Sequence, residues 1–167
     1  MTFDWATCER GDLMLDFLRK ENQLSKNEWF SISIALCEES LKSFSRRYPK
    51  VDILLRAISC AVNPMTCSDG CVKECRNFAL QSTAAQASAP AWACYYACLI
   101  PPLKDASRAS IYAAACSDCC CDTSIANYVA DAVLTERRIQ ANIIRELVKN
   151  PFHESNLNNS SLEHAAT

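Results

Sequence analysis

The chain has 167 residues, half of them apolar and 22% charged, with a formal net charge of -2. That is one domain's length, enough to bury a core without covalent staples. Acidic and basic residues are interspersed with no long basic block, which excludes the electrostatic footprint of a nucleic-acid binder. Only two glycines occur, Gly11 and Gly70. Phosphate loops and dinucleotide folds need close backbone approach at several glycines, so a standard nucleotide-binding enzyme is excluded as well.

Helical spacing dominates in chain order. Residues 4–10 make a short turn opened by Asp4, and "DLMLDFLRKE" follows with Asp12 as N-cap and Leu13, Phe17 and Leu18 on one face. The next segment begins at Ser25 with Glu28 three places on, the capping-box pattern, and carries Trp29, Ile32, Leu36 and Phe44 at helical spacing. Pro49 suits the first turn of a helix through Ile53, Leu54, Ala57 and Ile58 that stops near Asn63 and Pro64. Thr66 and Asp69 open another, running to about Ala87.

Residues 77–103 carry no charge. Their strongly apolar part, "AWACYYACLI", is about half of a spanning length, so a buried helix opened by Ser88 and Pro90 is expected, closed by Pro101 and Pro102. A helix over about 103–119 comes next. The last is capped by Asp122 or Thr123 and runs to Val148, with Ile125, Val129, Val133, Ile139, Ile143 and Leu147 as its apolar stripe; Asn150 and Pro151 end it. The pattern predicts an all-α single domain, residues 1–152, built as a bundle or array of seven to eight helices around an Ala/Ser/Cys middle. Residues 153–167 read as a disordered tail. The first residues lack an apolar export segment, so a cytoplasmic, reducing setting is expected, with no membrane span and with the cysteines as thiols.

Two stretches carry a resemblance. "DWATCERGDLMLDFLRK" at the start and "TERRIQANIIRELVKNPF", residues 135–152, resemble a bacterial family of uncharacterised, Ala-rich helical proteins with an "EW…MLxFLR"-like start and an "ERxxQxxLLRxIFGNPF"-like close. Glu136, Arg137, Gln140, Arg145, Asn150, Pro151 and Phe152 match the closing motif, while Lys149 stands where the family has glycine. The middle resembles the family by composition alone. The resemblance implies a helical fold and no transferable activity, with a lean toward binding or scaffolding.

Catalytic chemistry has little to build on. Both histidines, His153 and His164, fall at or beyond the end of the expected fold, so no rigid general base or Cys-His pair is available. The carboxylate pairs Glu38/Glu39, Asp12/Asp16 and Asp118/Asp122 read as caps and solvated faces, because di-metal bundles need E-x-x-H motifs. Arg46-Arg47 and Arg137-Arg138 read as a helix end and a solvated face.

The twelve cysteines are the strongest chemical signal. Cys67, Cys71 and Cys75 step by four, as do Cys94 and Cys98, and Cys116 and Cys120 with Cys119 beside them. Each series is a single helical face. Cysteine packs like a slightly larger alanine, so buried free thiols are the plain expectation. "CSDCCCD", residues 116–122, is placed at a helix C-terminus, where the dipole and Asp118 and Asp122 disfavour a thiolate. The leading reading is a non-enzymatic interaction or structural protein with no catalytic residues, no cofactor and a protein partner of unknown identity. The first alternative is a metal-binding or redox-sensing protein with Cys67, Cys71, Cys75, Cys116, Cys119 and Cys120 as zinc ligands. The second is an immunity-type protein that binds a toxin.

Overall fold

The computed structural model describes residues 3–21, 24–45, 51–63, 70–82, 85–125 and 131–148. Among them the chain is all-α, with seven helices: α1 (Gly11–Glu21), α2 (Lys26–Ser45), α3 (Val51–Val62), α4 (Gly70–Gln81), α5 (Ala85–Cys98), α6 (Ala106–Ile125) and α7 (Ala132–Leu147). No helix among the described residues is long and apolar enough to cross a membrane. The expected tail, Asn150–Phe152, Pro49, Arg46-Arg47 and both histidines lie outside the described residues, and so does Cys67.

The local signals worked best where capping chemistry set the boundary. The Glu28 carboxylate accepts from the Ser25 backbone N–H at 2.7 Å, and Ser25 Oγ accepts from the Glu28 N–H at 3.3 Å, so the capping box opens α2 as read. Trp29, Ile32 and Leu36 then all face the core. Elsewhere tertiary packing moved the boundaries. Asp12 lies inside α1 and pairs with Arg10 at 2.6 Å. Its helix buries Met14, Leu15 and Leu18 and leaves Leu13 exposed, one position off the predicted stripe. The helix expected to reach Ala87 stops at Gln81, and α5 already begins at Ala85 with Pro90 inside it. That proline forgoes one helical hydrogen bond, yet it is fully buried between Ala89 and Ala91, where close packing offsets the loss.

The α6 boundary is the largest correction. The helix is capped by Asp105, whose carboxylate accepts from the Ser107 N–H at 2.7 Å, and it runs to Ile125. No glycine or proline occurs between Pro102 and Pro151 to stop it. "CSDCCCD" is therefore helix interior, and Asp122 and Thr123 fall within α6 and not at the start of the last helix. The last helix starts only at Ala132, behind Asp131 in the left-handed region at φ 61°, a conformation aspartate tolerates.

The two ends of the chain form one unit. Gly11 lets α1 lie against α7: a Cβ there would stand 2.5 Å from the Gln140 Cβ and 3.1 Å from the Ala141 nitrogen. Arg145 donates from Nε to the Trp5 carbonyl at 3.2 Å and from Nη2 to the Cys8 carbonyl. Arg138 pairs with Glu9 at 3.0 Å. Phe3 stacks on Phe17 at 4.7 Å beside Trp5. The buried face of α7 is Glu136, Gln140, Ala141 and Ile144, while the predicted stripe members Val133 and Leu147 are exposed. Polar groups displace the apolar stripe because Gln140 is fully satisfied. Its Oε1 accepts from Ser117 Oγ at 2.8 Å and from Arg137 at 3.0 Å, and its Nε2 donates to the Ser117 carbonyl at 3.0 Å. Arg137 also pairs with Asp118 at 2.7 Å; only 12% of its side chain is exposed, so it is an interior cross-link and not part of a solvated face.

Two outcomes follow from this α1–α7 seam. Gly11→Ala overpacks the crossing and lowers unfolding free energy by about 1–3 kcal/mol, measured by denaturant titration; an unchanged midpoint contradicts the close approach. Arg10, with help from Arg137, holds the Asp12 carboxyl below the usual carboxylate range. The stabilisation is complete above the unfolded value of about 4 and is lost as pH falls through the lower folded value. Asp12→Asn should therefore flatten the acid side of the stability profile, which pH-dependent thermal unfolding reads directly.

Candidate metal centre

Two helices rich in small residues, α5 and α6, meet α2 in the core. Helices α5 and α6 form the most extensive pairing, and α2 packs across α6. Ala91, Ala93, Ala97, Ala109 and Ala113 are all essentially inaccessible to solvent. Small side chains on α5 and α6 favour close helix packing, and cysteines stand among these alanines.

Each sulfur is aimed by helical period. On α2 the core face is Trp29, Ile32, Ser33, Leu36, Cys37, Ser40 and Leu41, so Cys37 lies within the stripe that begins at Trp29. On α6 the buried residues fall in two rows. Cys116 and Cys120 turn toward α2, where their sulfurs reach the Ser33 and Leu36 carbonyls, each at 3.6 Å. Ser117 and Cys121 turn toward Gln140 of α7. As a result the sulfurs of Cys37, Cys116 and Cys120 all lie within 4.8 Å of one another. Cys37 and Cys116 are 3.3 Å apart, well beyond the roughly 2 Å of a disulfide, and both are free thiols. All three residues are fully buried.

The electrostatics distinguish the three. Hydrogen bonding with Cys116, Cys120 and Cys94, followed by burial, holds Cys37 well above the ordinary thiol range. Cys116 is also raised, chiefly by its hydrogen bond with Cys120. Cys120 moves the other way, because its sulfur is the shared acceptor of Cys116 and Cys37 and feels Arg137. The buried Ser40 hydroxyl lies beside Cys120 and also helps to lower it, though it forms no hydrogen bond of good geometry. Around the cluster, burial pushes Cys119 and Cys121 up to about 12 and raises Cys75 as well. Protonated, buried thiols are poor nucleophiles, and no histidine stands among the described residues to activate them.

The six cysteines singled out in the sequence divide. Cys116 and Cys120 enter the cluster. Cys119, on the same helix, is only partly buried and stays outside it. Cys75 of α4 is buried, and its thiol donates to the Ala91 carbonyl at 3.2 Å; Cys71 is partly exposed. Cys67 lies outside the described residues. The partner of the α6 pair is Cys37, which sequence reasoning passed over because it stands alone and not in a step-by-four series. Its position next to Leu36 on the Trp29–Ile32–Leu36 face was the available signal. Cys94 lies against Cys37, but it is not in the group whose sulfurs are all mutually close. Chemically, a set of three sulfurs with no oxygen or nitrogen ligand suits a soft, thiophilic cation.

Alkylation with mass-spectrometric readout tests the burial. In the native chain Cys37, Cys116 and Cys120 should stay unmodified while Cys71 reacts, and all should react after unfolding. Native labelling of Cys37 at the rate of Cys71 contradicts the packing described. Comparison with protein-family models, curated proteins and solved structures finds no match to this chain.

Proposed function

We propose that this chain is a non-enzymatic helical protein that holds a soft metal ion on Cys37, Cys116 and Cys120. The observation that carries the reading is the convergence of three fully buried sulfurs from two helices within 4.8 Å. Ligands held about 2.3 Å from a common ion stand roughly 4 Å apart. With every separation within 4.8 Å, the cluster therefore needs only adjustments of about an ångström, the 3.3 Å Cys37–Cys116 contact opening among them. Metal binding would replace the thiol protons of the three cysteines, so it depends on pH. A reducing, cytoplasmic setting belongs to the same proposal, since the ligands must be thiols.

The broader reading as an interaction or structural protein, and the toxin-binding alternative, rest on composition and analogy. The sulfur cluster is what favours metal binding over them. Membership of the helical family that the two chain ends resemble belongs to the proposal and supplies no activity. In that resemblance Glu136, Arg137, Gln140 and Arg145 are matching positions, and three of them already have structural work: Arg137 and Gln140 join α7 to α6, and Arg145 anchors the first residues.

Elemental analysis of protein purified under reducing conditions without chelator, then titrated with zinc and copper(I), tests the proposal. About one thiophilic ion per chain is expected, lost on Cys37→Ala and retained on Cys71→Ala. A chain that takes up neither ion contradicts it.

A further inference from the structure

Resting on the metal reading above, we infer that the ion suited to Cys37, Cys116 and Cys120 is copper(I) and not zinc. The argument is one of coordination number. Structural zinc sites are four-coordinate, and iron–sulfur clusters likewise take four protein ligands. Here the sulfurs of Cys37, Cys116 and Cys120 are mutually close, and Cys94 borders Cys37 outside that mutually close group. Among the described residues the group includes neither a carboxylate nor an imidazole, and its three members are sealed from solvent. Closed-shell copper(I) accepts two or three sulfurs, and soft thiolate sets select it.

A second observation points to the same occupied state. The buried Ser40 hydroxyl lies beside Cys120 and acts on its sulfur, without forming a hydrogen bond of good geometry to any group. A metal-bound thiolate at Cys120 gives that hydroxyl an acceptor. The positive charge of Arg137 on α7 also acts on Cys120. Each S–Cu bond that forms releases one thiol proton to solvent, and no electron is transferred, so the ion enters as copper(I).

The test is anaerobic competition for copper(I) against bathocuproine disulfonate, run beside zinc and cobalt(II) titrations on the full chain. Copper(I) should be retained with ultraviolet thiolate-to-copper absorption. Cys37→Ala and Cys120→Ala should weaken retention more than about 100-fold, beyond the cost of losing an outer-shell partner. Ser40→Ala should weaken it about tenfold, and Cys94→Ala by less than that. Far-UV circular dichroism checks that each variant folds. If Cys37→Ala does not, protection of Cys37, Cys116 and Cys120 from alkylation by bound copper in the unaltered chain carries the test. Four-coordinate thiolate bands from cobalt(II), lost in Cys94→Ala, with copper(I) surrendered to the chelator, would overturn the copper assignment and leave the metal reading standing. Binding of none of these ions would remove both. Copper retention unchanged in Cys37→Ala and Cys120→Ala would place the ion elsewhere and overturn the assignment.

Discussion

The packing of α5 on α6 through alanine, serine and cysteine, with α2 laid across α6, is the constraint on which the rest of the molecule depends. Large side chains would hold these axes further apart. Ala93, Ala97, Ala109 and Ala113 of α5 and α6 are all buried, and α2 adds Trp29, Ile32, Leu36 and Cys37 to the same core. Packing at interior density makes such contacts sensitive to a single methylene. The same packing that buries the thiols brings three of them together, so the candidate site is a direct consequence of how the core is built and not an addition to it.

A second, polar seam holds the outer helices to this core. Gln140 and Arg137 of α7 engage Ser117 and Asp118 of α6. Gly11 allows α1 to settle on the same stretch of α7. A buried glutamine is acceptable only because both ends of its amide are paired; leaving one unpaired costs on the order of 1–3 kcal/mol. The sequence near Cys116 thus serves two neighbours in alternation. Cys116 and Cys120 look toward α2, and Ser117 and Cys121 look toward α7. A run with four cysteines in six positions is dense because it lines two interfaces at once.

Much of the fold was legible in the chain. Helical periodicity, the Ser25/Glu28 box and the scarcity of glycine pointed to an all-α fold of seven to eight helices, and the described residues form seven helices. What stayed hidden depended on contacts distant in sequence. Periodicity placed the apolar stripe of α7 on Val133 and Leu147, but the partners of Gln140 lie on α6 and outcompete an apolar face. Pro90 reads as a helix start, and burial among alanines carries the helix through it instead. Cys116 and Cys120 were visible as a pair from their spacing, and Cys119 shared the motif without sharing the face. Cys37 was invisible as a ligand because its partners lie more than seventy residues away; only the facing of α2 against α6 brings it in.

The central claim is that three sulfurs from α2 and α6 make one coordination sphere. Extended X-ray absorption fine structure at the metal edge of copper(I)-loaded protein tests it most directly. The account predicts a first shell of sulfur alone, with a coordination number near three, which falls when Cys37 is replaced by alanine. A first shell of oxygen or nitrogen, or a sulfur shell unchanged in the Cys37→Ala chain, would contradict it.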